Sequence, residues 1–144
     1  MTKERLRKYQ LIKKEREQLR QKLEEVEAAL YYPKVQQLTG MPGSGSKENN
    51  PQEDLAIYHM ELQDLYKAKI DELAGEQLAI ERAIEALEPT ARMLMRHRYL
   101  EGLKWEEVCV KMNYSWSQTH EIHKKILIRL REDEANEKQA QRPE

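Results

Sequence analysis

The sequence has few of the residues that interrupt helices or cross-link a fold. Its 144 residues include no phenylalanine, one cysteine, five glycines and five prolines. The single cysteine, Cys109, excludes an intramolecular disulfide and a cysteine-rich zinc site, which fits a reducing compartment. Because many of the turn residues lie between residues 39 and 52, the rest of the chain can form long helices, and a β-rich fold is disfavoured.

Long apolar runs are also missing. No stretch approaches the length of a membrane span, and the charged amino terminus is not followed by the apolar core of a signal peptide. We therefore expect a cytoplasmic protein with no membrane contact. His120 and His123 flank Glu121, but two histidines without a third ligand are typical of a helix surface. With no phosphate-binding glycine loop and no evident nucleophile, base and orienting acid, we predict a protein that is not an enzyme and needs no cofactor or metal.

The net charge of −1 conceals a segregation of charge along the chain. Residues 33–88 carry 5 basic and 11 acidic side chains, a net of −6, whereas residues 89–131 carry 9 basic and 4 acidic side chains, a net of +5. Such a basic block indicates a surface that faces a polyanion, although a solvated charged face has the same composition. Residues 132–144 are acidic again and predict a disordered tail.

Two heptad-like apolar patterns predict long helices over residues 1–32 and 53–88, separated by a flexible loop over residues 33–52. Arg16 is the one charged interruption in the first pattern. The basic start of the first helix and the acidic end of the second favour an antiparallel coiled-coil hairpin. Its seam would consist of Ile12, Leu19, Leu23, Val26, Leu30, Leu62, Tyr66, Leu73, Ile80, Ile84 and Leu87. Pairing within one chain and pairing between two copies in a homodimer both satisfy the pattern.

Residues 89–131 predict a carboxyl-terminal three-helix module that contains a helix-turn-helix, so the whole chain is predicted to be all-α. Pro89 suits the first position of a helix and Gly102 suits a helix end, which places helices at about 90–100, 105–112 and 116–131. Ser115 and Gln118 have the spacing of a capping box, and this spacing sets the start of the third helix.

The same segment resembles the fourth conserved region of bacterial RNA polymerase sigma factors over about 45 residues. The shared pattern is Arg96, Arg98 and Tyr99, then Glu101-Gly102-Leu103, Trp105-x-Glu107-Val108, Ser115, Ile122 and Leu127-x-x-Leu130-Arg131. Three residues, His97, Lys104 and Trp116, depart from it. With its charged amino-terminal helices, the whole chain is similar to phage and prophage late-operon activators of the ArpU and RinA type.

This resemblance implies a sequence-specific DNA-binding transcriptional regulator whose third helix enters the major groove of double-stranded DNA. The residues expected to contact bases are Trp116, Ser117, His120 and Glu121. The residues expected to contact phosphates are Arg96, Arg98, Lys104, Lys111, Lys124, Lys125 and Arg131. The hairpin would then form a homodimer or contact host RNA polymerase.

Two other functions are compatible with this layout. A phage DNA-packaging protein of the small-terminase kind also combines a helix-turn-helix with oligomerising helices, and it would form a ring larger than a dimer. A coiled-coil adaptor whose terminal module binds protein would show no salt-sensitive DNA binding.

Overall fold

A computed structural model describes residues 1–32 and 50–143, and every regular element in these two ranges is a helix. In chain order, the helices are α1 Lys3–Tyr31, α2 Pro51–Glu85, α3 Pro89–Met95, α4 Trp105–Met112 and α5 Trp116–Ala140. A π-helical segment, Arg96–Leu100, continues directly from α3. The all-α prediction is confirmed. Most of the predicted loop, residues 33–49, lies outside the described residues, and α2 begins inside the predicted loop limits at Pro51.

One compact unit consists of Ile12–Glu72, in which α1 and α2 pair antiparallel within the chain. Lys69 Nζ lies 2.8 Å from a carboxylate oxygen of Glu15, and His59 Nε2 lies 3.2 Å from one of Glu27. The apolar centre comprises Leu23, Val26 and Leu62, with the partly buried Leu19, Leu30, Leu55 and Tyr66 around them. Throughout the chain, every predicted seam residue is buried or half-buried, because the heptad spacing places these side chains on one face of each helix.

Arg16, the charged residue that interrupts the first heptad pattern, is half-buried. Its Nε atom is buried and has no hydrogen-bond partner among the described residues. An unsatisfied buried donor costs about 1–3 kcal/mol. Arg16 therefore weakens the pairing of the two helices at this level.

The other compact unit combines Met1–Leu11 with Leu73–Glu144. The start of α1 is integral to it: Leu6 is fully buried, and the side-chain amide of Gln10 donates a hydrogen bond to the backbone carbonyl of Tyr99. The boundary predicted at residue 89 therefore does not separate two compact units. A three-helix module of this size buries little apolar surface by itself, and the ends of the hairpin add to its core.

The core of this unit contains one face of each short helix. Helix α3 packs against α4 and α5, and α4 packs against α5. The fully buried members of this core are Leu6, Ile80, Ile84, Leu94, Met95, Val108 and Thr119.

The predicted disordered tail is wrong over residues 132–140, because α5 continues to Ala140. These residues are mostly good helix formers, so their acidic character does not prevent a helix that is already nucleated from continuing. Lys138 Nζ lies 2.8 Å from the carboxylate of Glu134, one turn earlier on the same helix. Hydrogen bonding to Lys138 is the main reason why the pKa of Glu134 is lowered to about 2.

Candidate nucleic-acid interface

The start of α4 follows from two local features. Gly102 has a φ of 73°, in the left-handed region that glycine adopts without strain, and it stands where the π-helical segment ends. The Glu107 carboxylate then accepts a hydrogen bond of 3.2 Å from the backbone N–H of Lys104. Because a lysine ammonium only donates, it cannot accept a hydrogen bond from the first turn of α4 in return, so only the Glu107 half of a capping box is present.

The turn between α4 and α5 is a Schellman motif centred on Asn113, whose φ and ψ are 57° and 42°. The Asn113 N–H donates to the Val110 carbonyl at 3.2 Å, and the Tyr114 N–H donates to the Cys109 carbonyl at 3.1 Å. Asparagine tolerates this left-handed conformation better than most residues with a side chain. The turn therefore ends α4 abruptly and sets the direction of α5.

The predicted capping box at the start of α5 is confirmed. Ser115 Oγ accepts from the Gln118 N–H at 3.2 Å, and Gln118 Oε1 accepts from the Ser115 N–H at 3.1 Å. Thr119 is fully buried and donates to the Ser115 carbonyl at 2.9 Å, while the Cys109 thiol donates to Thr119 Oγ1 at 3.4 Å. This close contact between α4 and α5 explains a small residue at position 109 without any cysteine chemistry.

Four side chains form a continuous stack from the π-helical segment to the first turn of α5. The Arg98 guanidinium lies 4.6 Å from the centre of the Trp105 ring. The ring centres of Trp105 and His120 are 4.5 Å apart with their planes tilted by 44°, and those of His120 and Trp116 are 4.3 Å apart with their planes tilted by 48°. We call this arrangement the Arg98–Trp116 stack. It joins the surface of α5 to the packed interior.

His123 is buried next to the Arg98–Trp116 stack. The prediction that it lies on a helix surface is therefore wrong. It is 7% exposed, its Nε2 lies 2.6 Å from the Tyr99 hydroxyl, and its ring meets Trp105 edge-on at 4.6 Å. Burial is the main reason why the pKa of His123 is lowered to about 4, and the nearby positive charge of Lys3 lowers it further. His123 is therefore a neutral core residue near pH 7.

The four predicted base-contacting residues all lie in the first two turns of α5, but their exposure differs. Ser117 and Glu121 are exposed, and the Trp116 side chain is 52% exposed. His120 is half-buried, and its Nε2 atom is buried without a hydrogen-bond partner among the described residues. In this conformation Nε2 of His120 cannot reach a base.

The predicted phosphate contacts fall into two groups. Arg98 donates to the Leu103 carbonyl at 2.8 Å, and Arg96 bonds to Glu85 at 2.9 Å, so these two side chains have partners within the same compact unit. The remaining five side chains are exposed, and only one of them lies in an ion pair within the described residues, at 3.5 Å from Glu101. The five are Lys104, Lys111, Lys124, Lys125 and Arg131, with Lys111 in that ion pair.

Sequence patterns did not identify the contacts behind this surface. Neither the Arg98–Trp116 stack nor the Tyr99–His123 pair was expected, because their members lie far apart in sequence. The i, i+3 and i+4 spacing of Thr119, His123 and Ile126 was the one signal that placed His123 on the inward face of α5.

A search of protein-family models, curated proteins and solved structures found no match to the chain. Within the described residues, no three histidine, cysteine or acidic side chains are grouped as a metal site would require. None of the helices in the same ranges is both long enough and apolar enough to cross a membrane.

Proposed function

We propose that this protein is a sequence-specific DNA-binding transcriptional regulator, of phage or prophage origin, that inserts the start of α5 into the major groove. The exposed first turns of α5, which follow a tightly capped turn, carry this proposal. Recognition helices of helix-turn-helix proteins contact bases with residues near the amino-terminal end. Ser117 and Glu121 are exposed one helical turn apart at that end.

The distribution of ion pairs supports the same surface. Lys124, Lys125 and Arg131 are exposed on α5 and form no ion pair with any described residue. In contrast, Arg92 and Arg96 both lie within 4 Å of Glu85. Cations that lack internal partners are available to phosphates, and phosphate contacts provide most of the affinity of such proteins.

Different side chains of α5 would provide specificity and affinity. Glu121 would accept a hydrogen bond from a cytosine amino group, and Ser117 would bond to either purine or pyrimidine edges. Lys124 and Lys125 lie further along α5, where side chains reach the backbone. The long paired helices α1 and α2 would provide the surface for a homodimer or for host RNA polymerase.

The test begins with selection of preferred sites from random DNA, followed by measurement of affinity as a function of salt concentration. If the five exposed cations contact phosphates, the log–log slope should be about −4.5. Lys124→Ala should weaken all sequences alike and make the slope less negative by about 0.9, whereas Lys14→Ala, an exposed lysine on α1, should change neither.

Glu121→Ala should leave the slope unchanged and relax preference at one or two positions by about 1–3 kcal/mol. Binding that does not depend on salt, or selection that yields no preferred sequence, would contradict the proposal. The mass of the complex adds a further result, since a ring larger than a dimer would favour the packaging function.

A further inference from the structure

Trp116 is the most unusual side chain of the proposed DNA surface. It is the first residue of α5, and its indole is 52% exposed although tryptophan is among the side chains that gain most from burial. A scattered apolar side chain on a surface needs no explanation. Trp116 differs because one side of its ring is fixed by the Arg98–Trp116 stack.

The stack limits the motion of the exposed indole. The Trp116 ring lies 4.3 Å from His120, the His120 ring lies 4.5 Å from Trp105, and the Arg98 guanidinium lies 4.6 Å over the Trp105 ring. Arg98 itself is fixed by its hydrogen bond to the Leu103 carbonyl. A side chain that is already ordered loses little conformational entropy on binding, so its exposed part is prepared for a contact.

The chemistry of indole restricts that contact. Its ring has one N–H donor and no hydrogen-bond acceptor, so it recognises apolar groups and flat surfaces. The apolar group that distinguishes base pairs in the major groove is the 5-methyl group of a pyrimidine. Ser117 and Glu121, exposed beside Trp116, would contact polar base edges next to it.

We infer that Trp116 is a specificity-determining residue that packs against a pyrimidine 5-methyl group, and that His120 is the positioning residue that holds the indole in place. This inference rests on the proposed function. In unmodified DNA the methyl group belongs to thymine, and in methylated DNA 5-methylcytosine presents the same group.

The test uses the full chain and the DNA site obtained by selection, with each thymine replaced in turn by deoxyuridine, which removes only the methyl group. At one position the wild-type protein should lose affinity about threefold to fivefold, as expected for one buried methyl group. Trp116→Ala should bind the thymine and deoxyuridine sites equally, with an unchanged salt slope. Ile128→Ala, a matched control that removes another half-exposed apolar side chain of α5, should keep the wild-type discrimination.

A second pair of variants tests the role of His120. Because its Nε2 atom is buried without a hydrogen-bond partner among the described residues, its contribution is expected to be the stacking of its ring. His120→Phe should therefore keep the discrimination between thymine and deoxyuridine, and His120→Ala should lose it. Equal loss in both variants would overturn the positioning role.

Three outcomes separate this inference from the proposed function. Salt-dependent, sequence-selective binding without any effect of methyl removal would overturn the inference alone. The same methyl effect in wild type and Trp116→Ala would also overturn it. Absence of DNA binding would overturn both. A further site carries cytosine instead of thymine at the position that Trp116 contacts. Replacing this cytosine by 5-methylcytosine should restore part of the affinity in the wild type only, which distinguishes the methyl group from other features of thymine.

Discussion

Because His123 is buried as a neutral side chain, it makes the stability of the folded protein depend on pH. Its pKa is about 4 in the folded protein and close to 6.5 in the unfolded chain. Between these two pH values the unfolded chain binds a proton on His123 that the folded protein does not bind. The contribution of neutral His123 to stability is therefore fully present above pH 6.5 and is lost as the pH drops towards 4. We expect a loss of about 2 kcal/mol between pH 7 and pH 5, measured by denaturant unfolding.

His123→Gln provides the control for this effect. Glutamine does not titrate, and its amide oxygen can still accept a hydrogen bond from the Tyr99 hydroxyl. The variant should be less stable than the wild type near pH 7 but should lose about 2 kcal/mol less on going to pH 5. Parallel pH curves for the two proteins would contradict a neutral, buried His123.

At the scale of the helices, replacement of glycine by alanine is expected to have opposite effects on stability at Gly75 and at Gly102. Gly75 lies within α2, and a Cβ atom added there meets nothing within 4 Å. Gly75→Ala should therefore stabilise the protein by about 0.5–1 kcal/mol, because alanine loses less backbone entropy in a helix. Gly102 has a φ of 73°, and Gly102→Ala should cost about 1–2 kcal/mol. Thermal melts that shift in the same direction for both variants would contradict these roles.

The helices could be predicted from the sequence wherever their signals are local. Helix α4 occupies residues 105–112 as predicted, because Gly102 and the turn at Asn113 limit it on both sides. The capping box of Ser115 and Gln118 likewise gave the first residue of α5 correctly. Each of these signals depends on neighbours within a few residues, so no tertiary contact is needed to interpret it.

The end of α5 could not be predicted in the same way. Residues 132–140 contain no apolar stripe, and their helix depends on weak propensities, on local pairs such as Glu134 with Lys138, and on the ion pair of 2.9 Å between the Met1 amino group and Glu134. Composition alone does not distinguish this balance from disorder. The candidate site could be predicted only in part for a similar reason. The exposure of Ser117 and Glu121 follows from helix periodicity, whereas the burial of His123 depends on Tyr99 and Trp105 from other elements.

For the whole molecule, the start of α1 is expected to stabilise helices that follow much later in the chain. Leu6 is fully buried in the compact unit that contains α4 and α5. Leu6→Ala should cost about 2–4 kcal/mol through the cavity that it leaves. Amide hydrogen exchange should then accelerate in α4 and α5, although neither helix has been changed.

Leu11→Ala is the matched control, since Leu11 belongs to the same unit but its side chain is 60% exposed. This variant should alter exchange in α4 and α5 little, because exposed substitutions usually change stability by less than about 0.5 kcal/mol. Equal exchange in wild type and Leu6→Ala would mean that the start of α1 does not support the helix-turn-helix.

The division of α1 between two compact units has a consequence for how the protein is made. Ile12–Glu72 is continuous in sequence, so this unit can fold on the ribosome as soon as α2 has emerged. The unit that combines Met1–Leu11 with Leu73–Glu144 must wait until the last helices have been translated. During this interval the start of α1 can meet α2, where the Tyr9 hydroxyl bonds to Gln77 at 3.5 Å, but its later partners Tyr99 and Glu134 are still missing. A chain that ends before α5 would keep the contacts with α2 but would never gain the ion pair between the Met1 amino group and Glu134.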